Sequence, residues 1–199
     1  MSGDPAFTLL GWPESEPTLR LDHRAFAYAG KFVVSRTGKA VLHASDDDPL
    51  WGRDAGEFAR GVLAAVAFDA DRTDPDRLVL RYVTVRTDRQ GEGLGPSLVD
   101  RLLARAATER RYGRARIAVN NPFAYEALYR AGFAYTGETT GIAELVLERP
   151  VDRPATADAD RYRAGLERFR RRDLSDAERA FVGCKRAGRP PSPTGDERA

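Results

Sequence analysis

Short apolar runs separated by turn-forming residues fill the first third of the chain. Residues 1–18 show no sustained period and carry several glycines and prolines, which predicts an irregular lead-in. Thr37 and Gly38 predict a turn between the last two of the runs that follow. These runs predict four strands, at residues 19–22, 26–29, 31–34 and 40–43.

Two longer apolar runs follow, at residues 61–68 and 78–85. They are joined by residues 69–76, which are rich in aspartate and include a proline. Such a linker between two strand-like runs predicts a hairpin. Between these runs and the four earlier ones, residues 45–49 predict a solvated acidic loop, and the segment around Trp51 predicts a short helix or lid.

The periodicity changes to that of a helix after residue 93. Leu98, Leu102 and Ala106 lie on one face, with apolar neighbours beside them, and Gly113 is predicted to end the helix in a left-handed conformation. Residues 114–119 then predict a strand, so the order strand, helix, strand implies a right-handed parallel crossover. A second helix is predicted from Asn121 to Gly132, and two further runs, at 133–135 and 142–147, complete the sheet.

The pattern changes again after Pro150. Tyr162, Leu166 and Phe169 recur at helical spacing, and Ser175 with Glu178 has the spacing of a capping box. We therefore expect a helical extension over residues 151–187 that packs on the rest of the chain or on a second copy in a homodimer. The remaining residues are rich in proline, so residues 188–199 are predicted to be disordered.

Composition narrows the function classes. The chain has 199 residues, 42% of them hydrophobic, which suffices for one substantial core, and a net charge of +2 is too mild to predict nucleic-acid binding. The basic run from Arg168 to Arg172 is accordingly interpreted as a solvated face. One cysteine and two histidines give little basis for a disulfide, a metal site or a Ser-His-Asp triad. Neither a long apolar run nor a signal-peptide pattern is present, so we expect a cytoplasmic protein that does not bind membranes.

The most informative stretch is residues 83–97, where an apolar strand runs into three alternate glycines and then into a helix. Glycines and a helix start both present free backbone N–H groups, so this stretch predicts an anion site, with Pro96 at the first helical position. A dinucleotide fingerprint would need glycine where Pro96 stands, and no Gly-Lys-Ser/Thr of a Walker loop occurs. A glycine-rich turn without a ligand is the structural alternative.

The motif that does fit is Q-x-x-G-x-G, which is found at residues 90–95. With it the chain resembles the GNAT superfamily of acyl-CoA-dependent N-acyltransferases. The resemblance implies an α/β (α+β) fold over residues 19–150, with a mixed, mostly antiparallel central sheet flanked by helices, and acetyl-CoA as co-substrate. It implies coenzyme contacts from the strand end, the loop and the second helix, namely Val83, Thr84, Val85, Gln90, Gly91, Glu92, Gly93, Leu94, Gly95, Pro96, Ser97, Asn121 and Tyr125.

The resemblance also implies a catalytic acid, a tyrosine on the helix after the crossover. Tyr129 is the matching residue, although it lies one position closer to Gly132 than the family pattern has it, where Leu128 stands instead. Tyr125, one turn earlier, is the second candidate. A tyrosine hydroxyl suits the protonation of a thiolate, because the two groups have similar basicity.

No general base follows from the pattern. Several relatives carry a glutamate on the strand where this chain has Arg81 and Tyr82, so ordered water is one route for the amine proton, with Glu138 and Glu144 as weaker candidates.

Together these features predict an N-acetyltransferase that acts by direct attack in a ternary complex, with a small-molecule or peptide amine as acceptor, bound by residues 20–60. The alternative is a non-catalytic acyl-CoA sensor or interaction module on the same fold.

Overall fold

A mixed sheet organises the chain. The computed structural model describes residues 4–34, 36–44, 57–185 and 188–193, and within these ranges it has seven strands and four α-helices. The strands are β1 Ala6–Gly11, β2 Gly38–His43, β3 Val62–Ala70, β4 Arg77–Val85, β5 Arg114–Val119, β6 Ala134–Thr139 and β7 Leu145–Pro150. The helices are α1 Leu94–Thr108, α2 Pro122–Arg130, α3 Ala159–Arg170 and α4 Asp176–Lys185.

The strand order is β1-β2-β3-β4-β5-β7-β6. Only β4 and β5 run parallel in the described sheet, and α1 connects them, while the remaining neighbours are antiparallel. The predicted fold class is therefore confirmed, as are the hairpin of β3 with β4 and the β4-α1-β5 crossover.

The first residues do not form the irregular lead-in that was predicted. Ala6–Gly11 is an edge strand that pairs antiparallel with β2, from Ala6 opposite His43 onwards. The side chains of β1 alternate as a strand requires. Phe7 and Leu9 pack against the main core, which lies between the sheet and the helices, and Leu10 packs on the opposite face of the sheet. The flanking glycines and prolines hide this short pattern in the sequence.

Three of the four predicted early strands are wrong. Residues 19–22 have no regular secondary structure, residues 26–29 and 31–34 form turns, bends and a short 3-10 segment, and only the run at 40–43 lies in a strand. The apolar residues of the segment are buried nonetheless, because Leu19, Phe26 and Phe32 form a second core on the face of the sheet opposite the helices. Burial without strand pairing explains the strand-like pattern of apolar residues in this segment.

Lys39 anchors this segment. Its side chain is buried, and its ammonium donates hydrogen bonds to the carbonyl oxygens of Pro17 at 2.5 Å, Val34 at 2.9 Å and Thr37 at 3.0 Å. Burial lowers the pKa of Lys39 to about 8. One side chain thus ties both ends of residues 17–37 to β2.

The end of α1 also differs from the prediction. The helix ends at Thr108, and the left-handed residue after it is Arg110, with φ of 52°, rather than Gly113. A glycine is required at 113 for another reason, because a Cβ there would lie 2.3 Å from a carboxylate oxygen of Asp76. Pro96 lies at the third helical position, still within the first turn, whose N–H groups lack intrahelical acceptors.

The C-terminal extension packs on the rest of the chain. Tyr162, Leu166 and Phe169 are buried in the main core, which confirms the predicted amphipathic helix. The capping box also forms, since the backbone N–H of Ser175 donates to the Glu178 carboxylate at 2.9 Å and the backbone N–H of Glu178 donates to the Ser175 hydroxyl at 3.3 Å. The helical hairpin α3–α4 is thereby an integral layer of the fold.

Some predictions fall outside the described residues. The acidic loop at 45–49 and the segment around Trp51 lie outside them, as does the last part of the 188–199 tail. Residues 188–193 have no regular secondary structure. Within the described ranges, the structure contains no helix of the length and apolarity needed to cross a membrane.

Candidate functional site

The candidate site lies at one edge of the sheet. The parallel register of β4 with β5 places their carboxyl ends side by side, and Val119 at the end of β5 pairs with Leu145 at the start of β7. The β4–α1 loop, the β5–α2 junction and the β6–β7 loop therefore meet at this edge, where ligands bind in open α/β sheets.

A bulge opens the sheet at this edge. Ala67 of β3 pairs with Tyr82 and Phe68 pairs with Leu80, so Arg81 is an extra residue in β4. The ladder between β4 and β5 extends from Arg77 to Leu80, whereas β4 itself continues to Val85. Because a bulge bends the strand that contains it, β4 separates from β5 after Leu80. The gap between the two strand ends is called the cleft, and the last residues of β4 present a backbone edge to it. The predicted strand end at residues 83–85 is thus open on the β5 side.

Thr84 carries an unusual hydroxyl in this open stretch. Val83 and Val85 pack against the main core, so Thr84, between them, lies on the opposite face. Thr84 is buried, and its hydroxyl oxygen has no hydrogen-bond partner among the described residues. An unpaired buried hydroxyl costs free energy, and a coenzyme contact by Thr84 stays a prediction.

The glycine loop has the backbone that an anion site needs. Gly91 and Gly93 have φ of 87° and 77°, and a Cβ at either position would contact nothing within 4 Å. The two glycines are therefore needed for their left-handed backbone, since their surroundings would accept a side chain. Gln90, Glu92 and Gly93 are exposed, and Leu94 buries its side chain under them as the first residue of α1.

The start of α1 faces the same loop. Gly93 is its N-cap and provides no side-chain hydrogen bond, so the backbone N–H groups of the first turn are free for a ligand. A helix N-terminus with a positive dipole end favours phosphate groups. Gly95 lies against Val85, with a Cβ position 3.5 Å from the valine methyl group, which links the loop to the strand end.

Charges around the loop are paired. Arg86 donates hydrogen bonds to Asp88 at 2.6 Å, and Arg89 donates to Glu92 at 2.7 Å. The hydrogen bonds from Arg86 and Arg89 hold the pKa values of the Asp88 and Glu92 carboxyls below their ordinary range. An anionic ligand therefore meets carboxylates that are already neutralised by their arginines.

These features fit the diphosphate and extended amide arm of coenzyme A. The loop and α1 offer N–H donors for phosphate, and the open edge of β4 offers backbone groups for amides. Thr84 adds a hydroxyl that lacks a protein partner.

Tyr125 and Tyr129 are placed differently from what their predicted roles would suggest. Both are buried, with the ring of Tyr162 from α3 stacked on Tyr125 at a centroid distance of 5.7 Å. The Tyr129 hydroxyl accepts a hydrogen bond from the backbone N–H of Tyr135 at 3.0 Å, and the Tyr125 hydroxyl donates to the backbone carbonyl of Tyr162 at 3.1 Å. Desolvation by burial raises the pKa of both tyrosines. This geometry favours a structural role over the roles of acid and coenzyme contact.

Asn121 caps α2. Its side-chain oxygen accepts a hydrogen bond from the backbone N–H of Ala124 at 2.8 Å, which is a standard use of asparagine at a helix start. Leu128 stands at the family's tyrosine position and is also buried. A coenzyme contact from Asn121 stays a prediction.

The predicted acceptor side is described in part. The Ala25 carbonyl accepts hydrogen bonds from both the backbone N–H and the hydroxyl of Thr87, which holds residues 22–30 against the loop. A cavity of about 300 Å³ lies on this side, lined by residues that include Arg20, His23 and Phe58. The groove predicted over 20–60 includes residues outside the described ranges.

The two glutamates considered as bases differ in their surroundings. Glu138 is exposed and accepts a hydrogen bond from Arg116 at 2.8 Å. Glu144 is partly buried in the β6–β7 loop, where its carboxylate lies 3.4 Å from the Thr140 hydroxyl. Within the described residues, no three histidine, cysteine or carboxylate side chains are grouped to hold a metal ion.

Sequence reasoning missed two residues at this edge. The bulge at Arg81 leaves no trace in a continuous apolar run. Arg172 was assigned to a solvated face, yet it is only partly exposed and donates a hydrogen bond to the Asn120 carbonyl at 3.0 Å.

Comparison with known proteins agrees with this architecture. A protein assigned to the GNAT family from Desulfovibrio desulfuricans aligns with a TM-score of 0.53 and 12% identity over 74% of this chain and 99% of its own. A protein described as an N-acetyltransferase from Lactobacillus plantarum aligns with a TM-score of 0.51 and 14% identity, over 75% of this chain and 99% of its own. A mutant of the toxin AtaT aligns with a TM-score of 0.50 and 14% identity, over 75% of this chain and 95% of its own. That structure contains the C-terminus of the antitoxin AtaR and acetyl-CoA. At such identities the likeness concerns the fold.

No curated protein sequence matches the chain. The model of the acetyltransferase (GNAT) family matches residues 9–133. This match contains the bulged strand, the glycine loop and both helices that flank the cleft. Because it spans more than half of the sequence, the chain belongs to the acetyltransferase (GNAT) family.

Proposed function

We propose that this acetyltransferase uses acetyl-CoA and transfers the acetyl group to a primary amine by direct attack in a ternary complex. One observation carries the proposal: the open end of β4 leads, through a single 3-10 turn at Thr87–Arg89, into the glycine loop and the N-terminus of α1. The AtaT structure, which contains acetyl-CoA, supports the choice of co-substrate because its fold is similar.

Each part of the cleft has a distinct role in this proposal. The backbone N–H groups of residues 90–95 bind the diphosphate, and the free edge at Val83, Thr84 and Val85 pairs with the amides of the coenzyme arm. When bound, acetyl-CoA supplies an activated carbonyl and a thiolate leaving group. The N–H groups at the open strand end polarise that carbonyl, because they are fixed in position before the reaction.

Direct transfer is favoured because the strand end, the glycine loop and the start of α2 contain no cysteine for a covalent route. The chain has a single cysteine, Cys184, which is exposed on α4. The acceptor is a small-molecule or peptide amine bound on the side of residues 20–34.

The proposal is tested by thiol release from acetyl-CoA in the presence of a polyamine, a lysine ester, an aminoglycoside and a short peptide with a free N-terminus. We expect thiol release that depends on one of these amines and equals the amount of acetylated product. Intact-protein mass in the absence of amine should show no acetylated enzyme. Acetyl-CoA binding without amine-dependent thiol release would contradict the proposal and favour a binding module.

Thr84→Val is expected to have opposite effects on stability and on coenzyme binding. Removal of an unpaired buried hydroxyl should raise the free energy of unfolding of the free protein by about 1 kcal/mol, while the lost contact weakens acetyl-CoA binding about tenfold. Thr84→Ser retains the hydroxyl and serves as the control. Chemical denaturation and calorimetric titration measure the two quantities. Equal acetyl-CoA affinity for Thr84→Val and the wild type would exclude a ligand contact by this hydroxyl.

Tyr129→Phe is expected to affect stability more than turnover. Its hydroxyl is the acceptor for the buried Tyr135 N–H, so its loss should cost about 1–3 kcal/mol of unfolding free energy with turnover within about threefold. Tyr135→Phe is a matched control, because the Tyr135 hydroxyl has no hydrogen-bond partner in the described structure and its removal should cost little. A loss of about 10²-fold or more in kcat for Tyr129→Phe, with unchanged coenzyme affinity, would instead establish Tyr129 as the acid.

A further inference from the structure

Arg172 connects the C-terminal extension to the open edge of the sheet. It lies just after α3, and its guanidinium is 4.7 Å from the centroid of the buried Phe169 ring. One terminal nitrogen donates to the Asn120 carbonyl at 3.0 Å, and the other donates to the Ala143 carbonyl. A single side chain therefore holds two backbone segments that are distant in sequence.

Both segments belong to the candidate site. Asn120 directly follows β5, beside the place where β4 separates from it. Ala143 lies in the β6–β7 loop with φ of 64°, a left-handed conformation that is unfavourable for a residue with a side chain. The loop is closed internally by hydrogen bonds between Thr140 and its neighbours Ala143 and Glu144. A strained loop of this kind persists where its surroundings fix it.

The chemistry of the contact suits such a role. A guanidinium presents several N–H groups in a planar, rigid arrangement, so it can bind two carbonyl oxygens at once and stack on an aromatic ring. An ammonium group can also donate to several carbonyl oxygens, as that of Lys39 does, but it lacks the flat face that stacks on the ring and the fixed spacing between donors. Arg161 of α3 adds a second tie to this sheet edge, by donating to the Thr136 carbonyl of β6 at 3.3 Å.

We infer that Arg172 is a positioning residue for the acceptor amine, so that the hairpin α3–α4 completes the acceptor side of the active site. This inference rests on the proposed function. Arg172 fixes the β6–β7 loop relative to the end of β5 and thereby sets the width of the cleft mouth through which the amine approaches the acetyl group. Arg172 touches neither the strand end at residues 83–85 nor the glycine loop, and the side chain of the neighbouring Asn121 is held separately by the Ala124 N–H, so the effect of Arg172 should fall on the acceptor and not on acetyl-CoA.

The test compares Arg172→Gln and Arg172→Lys with Arg171→Gln, an exposed neighbour in the same basic run. Four quantities are measured: acetyl-CoA affinity by calorimetry, KM and kcat with the most active amine of the panel described above, and amide hydrogen exchange of residues 140–144. We expect both Arg172 variants to raise the amine KM about tenfold and to speed exchange in the loop, with acetyl-CoA affinity unchanged. Arg171→Gln should match the wild type.

The possible outcomes separate this inference from the proposed function. If Arg172→Gln lowers only the melting temperature, or matches Arg171→Gln in KM and exchange, the positioning role is overturned. If the wild type releases no thiol with any amine of the panel, the proposed function and the acceptor role fail together. In that case the exchange data still decide whether Arg172 fixes the loop.

Discussion

Truncation after Pro150 is expected to remove the cooperative melting transition or to lower the melting temperature by at least about 10 °C. Tyr162, Leu166 and Phe169 each bury a large apolar side chain, which stabilises the fold by roughly 1.5–3 kcal/mol per residue. Their sum approaches the whole free energy of unfolding of a typical domain, about 5–15 kcal/mol.

The truncation also removes hydrogen-bond partners of polar groups on the remaining chain. Glu126 is buried, and its carboxylate accepts hydrogen bonds from the Tyr162 hydroxyl at 2.5 Å and from the Lys185 ammonium at 2.6 Å. The Tyr125 hydroxyl loses its acceptor on α3 as well. The truncated chain keeps the Arg130 guanidinium, 3.8 Å from the Glu126 carboxylate, but loses both of the shorter hydrogen bonds to that buried group, which is costly.

Two controls isolate the contribution of packing. Truncation after residue 187 should leave the melting temperature unchanged, because it removes only the proline-rich tail. Gly165→Ala should destabilise the protein, since the new Cβ would lie 2.1 Å from the Tyr125 hydroxyl, whereas Gly183→Ala meets nothing within 4 Å and should stabilise α4. Unaltered melting of the Pro150 truncation would show that α3 and α4 contribute nothing to the stability of the fold.

The stripe of α3 does not require a second copy of the chain. Its side chains are buried within the monomer, against α2 and β6. A homodimer stays a prediction, and it would have to use another surface.

Local sequence patterns predicted much of the fold because they reflect interactions between residues that are close in sequence. The spacing of apolar residues around Leu98 and around Leu166 specifies one buried face on each of two helices. The side chains of Ser175 and Glu178 accept hydrogen bonds from backbone N–H groups at the start of α4. The backbone of the glycine loop was equally predictable, since Gly91 and Gly93 adopt the left-handed conformation that glycine permits.

Features that depend on distant contacts were not predictable in this way. Residues 19–34 alternate like strands but are held by Lys39 and by a second core, neither of which a local pattern contains. The bulge at Arg81 is a relation between two strands. Tyr129 matched the family approximately, and only the position of α3 shows that its hydroxyl is enclosed. Arg172 was indistinguishable in sequence from its exposed neighbours.

Gly93→Val is expected to reduce acetyl-CoA binding below detection while the fold stays intact. Gly93 has φ of 77°, a conformation that a β-branched residue adopts only at a considerable cost. The loop would therefore change its path and move the N–H groups of residues 93–95 away from the diphosphate. Because a side chain at this position meets open space and the residue is exposed, the core is not disturbed.

Gly137→Val is the matched control for this change. Gly137 also has a positive φ, of 95°, and open space around its Cβ position, but it lies in β6 and not in the loop. Valine raises the conformational free energy of the backbone by a similar amount at both positions. Any difference in acetyl-CoA binding between the two variants is therefore due to where the substituted residue lies. Circular dichroism and melting curves show whether each is folded.

Calorimetric titration of acetyl-CoA into the wild type, Gly93→Val and Gly137→Val tests most directly whether the cleft at the end of β4 is the coenzyme site. The structure predicts saturable one-to-one binding by the wild type and by folded Gly137→Val, with none detected for folded Gly93→Val. Binding of equal affinity to all three proteins, or no binding to the wild type, would contradict the assignment of the glycine loop and the open strand end to acetyl-CoA.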